Sequence, residues 1–153
     1  MAGRLAGIAR KACPKAPAEA IAAAHVGLAT GVAGDFRGAI RPGRSNRRQI
    51  SFVMRSDWEA ALAELGVELP WHLRRCNLLV EGLMLPRHAA RVRVGEAAVM
   101  ELTGACDPCR RMDEVAEGLD AALRPEWRGG RIARVIAPGD IRVGDTIEVE
   151  DIG

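Results

Sequence analysis

The 153-residue sequence contains no run of apolar residues long enough to cross a bilayer as a helix. Such a helix needs about 18 or more consecutive apolar residues. A signal peptide is not expected either, because Arg4, Arg10, Lys11 and Lys15 interrupt any apolar stretch within residues 1–17. We therefore expect a cytoplasmic protein that does not bind membranes.

The sequence also has little excess charge and very little lysine. Its formal net charge is +2, which is too small by itself to indicate a nucleic-acid-binding protein. Only Lys11 and Lys15 among the 22 basic residues are lysines. A GC-rich genome would produce the same preference for arginine, but arginine also binds phosphate or carboxylate through a two-pronged contact that lysine cannot make. Composition leaves both explanations open.

Grouped metal ligands are lacking as well. The histidines are His25, His72 and His88, and none lies at a ligand spacing from another. The cysteines are Cys13, Cys76, Cys106 and Cys109. In a cytosolic chain they are expected to be thiols rather than a disulfide framework. A zinc site would need a second ligand pair at a suitable spacing, and Cys76 with His72 is a poor candidate for it.

Short apolar runs separated by turn residues dominate the chain. No repeat or linker divides it, so a single domain over residues 1–153 is expected, and 48% hydrophobic residues indicate a globular chain with a buried core. The glycine-rich segment 27–43 predicts a loop, and the segment 18–24 is compatible with helix or strand. Strands are predicted over 4–11, 48–54, 77–80, 91–94, 97–102, 131–137 and 146–149.

Two short helices complete the prediction. Ser56 to Glu59 has the pattern of a capping box, and the helix that it opens is expected to end near Leu65, before Gly66. A second helix is predicted over Met112–Leu123. Because helices do not regularly separate the strands, the pattern argues against a parallel α/β fold. It predicts a mainly β (α+β) fold, namely a closed or partly closed β-barrel with a few short helices.

The segment Thr103–Arg111 carries the strongest chemical signal. Cys109 follows a predicted strand, precedes a predicted helix and is followed by Arg110 and Arg111. The positive end of the helix dipole and the arginines both favour a thiolate. A thiolate can act as a nucleophile, carry a persulfide or bind a soft metal, whereas the alternative is two small residues buried at a tight turn.

Cys106 and Cys109 also form a C-x-x-C pattern. This pattern is typical of thioredoxin-like redox pairs, which occur in a βαβ context. The chain downstream resembles β-hairpins instead, so a thiol-redox protein is a weaker alternative.

Arginine is concentrated in two further places. No acidic residue lies between Asp35 and Asp57, where arginines and glycines predict either an anion-binding loop or a solvated surface loop. Arg128 precedes Gly129 and Gly130, and paired glycines let a backbone approach a ligand closely. A lone Arg-Gly-Gly does not indicate RNA binding, which uses arrays of such segments. The arginines of the first segment are Arg37, Arg41, Arg44, Arg47, Arg48 and Arg55.

Taken in order, these segments resemble the MOSC family, which is named for the C-terminal domain of molybdenum cofactor sulfurase. The resemblance covers residues from about 27 to 150. Its motifs are Gly34-Asp35, Arg48-Gln49-Ile50-Ser51, Arg75-Cys76-Asn77-Leu78, Glu81-Gly82-Leu83, Pro108-Cys109, Arg128-Gly129-Gly130 and Gly144-Asp145.

The resemblance implies a barrel-like fold of MOSC type and a site centred on Cys109. In relatives that hold molybdenum cofactor (molybdopterin), the matching cysteine binds the metal, and in sulfurase-type members it is thought to handle sulfur. Arg75 and Asn77 match a motif that contributes to the pterin site, and Arg48 and Arg128 are weaker candidates for binding its phosphate. Many small members have Glu where this chain has Cys76.

The leading hypothesis is a domain that binds molybdenum cofactor, or carries sulfur for it, through Cys109. It implies a partner, either a pyridoxal-phosphate cysteine desulfurase or an electron-donor protein. The alternatives are a cofactor-dependent reductase of N-hydroxylated compounds and a non-catalytic cofactor-binding module. The sequence leaves open whether the protein is an enzyme.

Overall fold

Seven β-strands form a closed barrel in the computed structural model, which describes residues 2–151. The barrel strands are β1 (Ala2–Arg10), β5 (Ile50–Met54), β6 (Leu78–Glu81), β7 (Ala90–Val94), β8 (Ala98–Ala105), β9 (Arg131–Ala137) and β11 (Thr146–Asp151). Around the barrel the order is β11-β7-β8-β9-β5-β6-β1, and pairing of β1 with β11 closes the ring. The predicted mainly β barrel is confirmed. Met1, Ile152 and Gly153 of the predicted domain lie outside the described residues.

Strand β1 closes the barrel because its two halves pair with different neighbours. Its first residues pair with β11 and its later residues with β6, and the register shifts between Leu5 and Gly7. A Cβ on Gly7 would lie 2.6 Å from the Trp71 ring, so only glycine allows this strand to pass so near the indole. A register shift of this kind bends a strand, which a closed barrel requires.

Within the described part of the chain, four short strands lie outside the ring. Strand β2 (Glu19–Ile21) pairs with β1, and β3 (Ala23–Gly27), β4 (Gly31–Val32) and β10 (Gly139–Arg142) form a separate sheet. The segment 18–24, which the sequence leaves ambiguous, is therefore extended.

Helix α1 (Arg55–Leu65) connects β5 to β6, which run parallel. The predicted capping box is wrong, because β5 continues directly into the helix and Met54 occupies the N-cap position without a side-chain hydrogen bond. Ser56 already lies within the first turn. Gly66 ends the helix as predicted, in the left-handed conformation with φ 65°.

The second predicted helix is interrupted. It consists of α2 (Arg111–Val115) and α3 (Leu119–Ala122), separated by Gly118 at φ 87°. A left-handed residue cannot continue a right-handed helix, so the prediction of one helix over Met112–Leu123 is wrong at this point. None of the helices within residues 2–151 is long and apolar enough to span a membrane.

The buried apolar residues form two clusters that share the barrel wall. One fills the barrel and contains Phe52, Met54 and Met100; the other lies outside it, where α1, α2 and α3 cover the wall around Val53 and Leu79. Every residue of β5 is buried, since both of its faces are covered. The strand therefore serves as a rigid support for the residues at its start.

Candidate functional site

A cavity of about 360 Å³ opens where β1 ends and where β5 and β6 begin. The residues immediately before these two strands bring Arg48, Arg75 and Asn77 to its wall, and the segment between β8 and α2 adds Cys109. Four of the five residues that the sequence nominates therefore share one cavity. The remaining lining residues include Arg10, Lys11, Asp35, Arg37, Gln49, Ser51, Arg74, Cys76, Asp107 and Arg111.

The wall of this cavity is predominantly positive. Within residues 2–151, no hydrogen bond or ion pair occupies the guanidinium groups of Arg48, Arg75 and Arg111. Burial lowers the pKa of Lys11, and repulsion by Arg75, Arg111 and Arg37 lowers it further. These cations lie close enough together to disfavour one another's charge, and several of their N–H donors are unused. Such a cavity wall favours binding of an anion.

The loop between β8 and α2 holds Cys109 in position from both sides. The amide of Cys106 donates to the Gly130 carbonyl at 2.9 Å, and Arg124 Nη2 donates to the Pro108 carbonyl at 3.2 Å. The side chain of Cys109 is exposed, while Pro108 before it is buried. The loop thus presents a free thiol on a fixed backbone.

Asn77 joins the strands beneath the cavity. Its Oδ1 accepts hydrogen bonds from the Ser51 amide and hydroxyl at 3.0 and 3.2 Å, and its Nδ2 donates to the Ala9 carbonyl at 3.2 Å. These bonds connect β1, β5 and β6. Only the second N–H of the amide is left for a ligand, so this side chain mainly holds together the strands beneath the cavity.

Arg128 lies away from the cavity. Its Nη1 donates to Glu64 at 2.7 Å and to the Ala122 carbonyl at 3.1 Å, on the helix side of the barrel wall. The glycines that follow approach protein instead of a ligand: a Cβ on Gly129 would lie 2.4 Å from the Cys106 carbonyl oxygen. These glycines bring β9 and the cysteine loop together.

Arg74 is the site residue that the sequence does not reveal. It is 4% exposed; Nε and Nη2 donate to the Gly129 carbonyl at 3.1 and 2.7 Å, and Nη2 also reaches the Cys106 carbonyl at 2.9 Å. Arg75 beside it has left-handed backbone, with φ 70°, and is exposed. No local pattern separates the two arginines, because the burial of Arg74 depends on contacts with residues distant in sequence.

Cys76 and Cys106 form a buried thiol pair next to Arg74. Their Sγ atoms lie 3.9 Å apart, and Arg74 Nη2 lies 3.6 Å from Cys106 Sγ. The hydrogen bond from Cys76, together with the charges of Arg74 and Arg48, overcomes burial and lowers the pKa of Cys106 to about 5. The same hydrogen bond and burial raise the pKa of Cys76. The pair therefore shares one proton, and Cys106 is the cysteine on which the thiolate is favoured.

We expect this pair to make stability depend on pH. The pKa of Cys106 is lower in the folded chain than the ordinary thiol value of 9.0. Its contribution to the free energy of unfolding is therefore complete above about pH 9 and is lost as the pH falls to about 5. Between these limits the stability of wild type relative to Cys106→Ala should rise by up to about 1 kcal/mol per pH unit. Urea unfolding under reducing conditions measures this difference.

The exposed Cys13 supplies the control for this measurement. Cys13→Ala should leave the pH profile of unfolding unchanged, because Cys13 is exposed and lines no part of the cavity. A difference between wild type and Cys106→Ala that stays constant over the same pH range would show that Cys106 is not a thiolate in the folded chain.

Solved structures show that the fold has known relatives. The YuaD protein of Bacillus subtilis matches with a TM-score of 0.83 at 19% identity, covering 100% of this chain and 98% of that one. YiiM of Geobacillus stearothermophilus matches with a TM-score of 0.74 at 15% identity, over 99% of this chain and 76% of that one. YiiM of Escherichia coli has a TM-score of 0.72 at 15% identity, over 98% and 71%. A search of curated proteins finds no match.

The family model adds evidence from the sequence itself. The model of the MOSC domain matches residues 38–148, a range that contains Arg48, Arg75, Asn77 and Cys109. The match covers most of the chain, and the barrel agrees with the structural relatives. The chain belongs to the MOSC domain family.

Proposed function

We propose that the basic cavity binds molybdenum cofactor and that Cys109 is the thiol that meets the metal. The observation that carries this proposal is the meeting of one exposed thiol with unused guanidinium groups in a single cavity of about 360 Å³. Cavities of this size hold small organic cofactors. The two kinds of group match the two ends of the cofactor, which has a soft metal at one end and a phosphate at the other.

The donors that line the cavity fit this group. A thiolate is a soft ligand that suits a soft metal centre, and arginine binds phosphate through paired N–H donors. Within residues 2–151, no cluster of three or more His, Cys, Asp and Glu side chains could hold a metal ion by itself. A metal at this site would therefore have to arrive on an organic carrier that binds elsewhere in the cavity.

Each residue has a distinct action in this proposal. Arg48 and Arg75 hold the phosphate end through donors that no group within residues 2–151 uses, and Asn77 joins the strands beneath the cavity and offers one N–H. Arg128 is not assigned a role, because its guanidinium pairs with Glu64 outside the cavity. When bound, the cofactor would supply atom-transfer chemistry beside Cys109.

Sulfur carriage is the second candidate, and the exposure of Cys109 favours it. A persulfide carrier must offer its sulfur to a donor protein, and an exposed thiol on a fixed loop meets that requirement. In this case the partner is a pyridoxal-phosphate cysteine desulfurase, whereas a reductase would need an electron-donor protein. Both functions use the same thiol.

Native mass spectrometry with molybdenum analysis tests both candidates. We expect wild type, purified from a cell that makes the cofactor, to carry either a molybdenum-containing pterin adduct or a persulfide of about 32 Da. Cys109→Ser should lose the persulfide completely, since a serine oxygen cannot hold sulfane sulfur, and should lose most of the molybdenum adduct, since the thiolate ligand is gone. Cys13→Ser is the matched control, because this thiol is also exposed but lies outside the cavity.

The outcomes separate the candidates. Molybdenum lost only in Cys109→Ser supports cofactor binding, and a persulfide without metal, lost in the same variant, supports sulfur carriage. An adduct that Cys109→Ser retains at the wild-type level would refute the role of Cys109 in either function.

A further inference from the structure

The thiol pair Cys76–Cys106 is not used by the proposed function. Both side chains are 1% exposed, and they come from different elements, since Cys76 precedes β6 and Cys106 follows β8. Simple packing would explain two small buried residues. It does not explain why the buried Arg74 guanidinium lies 3.6 Å from Cys106 Sγ, or why the two sulfurs lie 3.9 Å apart.

The pair is also close to a route from solvent. Cys76 lies in the wall of the basic cavity, so a small molecule that enters the cavity comes next to the thiol pair. Cys106 lies directly behind, within hydrogen-bond distance of Cys76. A thiolate next to a guanidinium group is the reactive form of cysteine.

We propose that Cys76 and Cys106 are a redox couple that a peroxide oxidises to a disulfide, and that this oxidation makes the cavity more positive. The proposal concerns a pair of thiols distinct from Cys109, and it does not depend on whether Cys109 binds cofactor or sulfur.

The chemistry balances with peroxide as the two-electron oxidant. The thiolate of the pair attacks one peroxide oxygen, the O–O bond breaks, and hydroxide leaves as that cysteine becomes a sulfenic acid. The sulfur of the other cysteine then attacks this sulfur, the S–O bond breaks, and the departing hydroxide takes the proton of the attacking thiol as water. The sulfurs must approach from 3.9 Å to about 2 Å for the bond to form.

The change in charge follows from the loss of the thiolate. The guanidinium of Arg74 lies 3.6 Å from Cys106 Sγ and favours a thiolate in the reduced pair, and the negative charge of this thiolate offsets the positive charge of Arg74. A disulfide carries no charge. Oxidation therefore leaves the positive charge of Arg74 uncompensated in a cavity wall that also contains Arg48 and Arg75. We expect the affinity for an anion to rise by about threefold to tenfold, as one unit charge at the edge of such a site produces.

The test uses Cys13→Ser/Cys109→Ser, which retains only the buried pair of thiols. Both replaced residues are exposed, so the variant should fold, and circular dichroism checks this. After treatment with hydrogen peroxide, denaturation and alkylation, we expect a mass lower by about 2 Da, no alkylation, and peptides joined through Cys76 and Cys106. Adding Cys76→Ser should instead leave Cys106 as a sulfenic or sulfinic acid.

Two further measurements complete the test. In wild type, peptide mapping should again find the Cys76–Cys106 link, and a link between Cys106 and Cys109 would overturn the proposal in favour of a conventional C-x-x-C pair. The proposal would also be overturned if Cys76 and Cys106 could still be alkylated after a peroxide dose that fully oxidises Cys109. Calorimetry with inorganic phosphate on the double variant should show tighter binding after oxidation and reversal by dithiothreitol; an unchanged affinity would refute the charge effect.

Discussion

Arg74→Met is expected to lower the free energy of unfolding by about 3–5 kcal/mol. Arg74 is almost completely buried and donates to the carbonyls of Gly129 and Cys106, which have to be satisfied inside the protein. Methionine fills most of the volume but leaves both carbonyls without this donor and the Cys106 thiolate without its counter-charge. Urea unfolding near neutral pH under reducing conditions measures the loss.

The neighbouring Arg75 provides a matched control. Arg75→Met removes the same guanidinium from the next residue, but Arg75 is exposed and lines the cavity, so the change in stability should stay within about 0.5 kcal/mol. Arg74→Lys should fall between the two, because lysine retains the charge without the fork that binds both carbonyls. Equal losses for Arg74→Met and Arg75→Met would show that the buried arginine is not what holds the cysteine loop.

Most of the barrel can be predicted from sequence because its strands are short and locally marked. The segments around Phe52, Val92 and Val135 become β5, β7 and β9 at nearly the predicted positions, because apolar runs bounded by turn residues are local signals. Closure of the barrel cannot be predicted in this way. That β1 pairs with both β6 and β11 depends on a register shift near Gly7, and the sequence carries no local sign of it.

The two errors in the helices have physical explanations. Ser56 has the sequence of an N-cap, but a strand that continues directly into a helix moves the helix start to Arg55, so the cap pattern has no function there. Gly118 lies in the middle of an apolar periodic pattern, and its left-handed conformation divides the helix. In both cases the tertiary path of the chain outweighs a local preference.

The site can be predicted only in part. The motifs that resemble the MOSC family place Arg48, Arg75, Asn77 and Cys109 in one cavity, although their roles stay predictions. Arg74 and its thiol neighbours cannot be found in this way. Their properties depend on contacts between residues about 30 to 55 positions apart, such as Arg74 with Cys106 and Gly129, which no local pattern encodes.

Gly130→Ala is expected to destabilise the chain by more than about 3 kcal/mol, or to prevent its folding. A Cβ on Gly130 would lie 1.9 Å from the Phe52 carbonyl oxygen and 3.0 Å from the Phe52 carbonyl carbon, and both belong to the backbone of the buried strand β5. Backbone atoms of a barrel strand cannot move aside as the end of a side chain can. The alanine must therefore push β9 away from β5 and strain the hydrogen bond from Cys106 N to the Gly130 carbonyl.

Gly144→Ala separates this clash from the strain of a positive φ. Gly130 and Gly144 have φ values of 118° and 104°, but a Cβ on Gly144 would meet nothing within 4 Å. Gly144→Ala should therefore lower the free energy of unfolding only by the strain of placing alanine at a positive φ, about 1–2 kcal/mol. The yield of folded protein and urea unfolding measure both variants. Equal losses would mean that conformation alone requires glycine at position 130; a larger loss at Gly130 would show that the close contact with the backbone of β5 also requires glycine there.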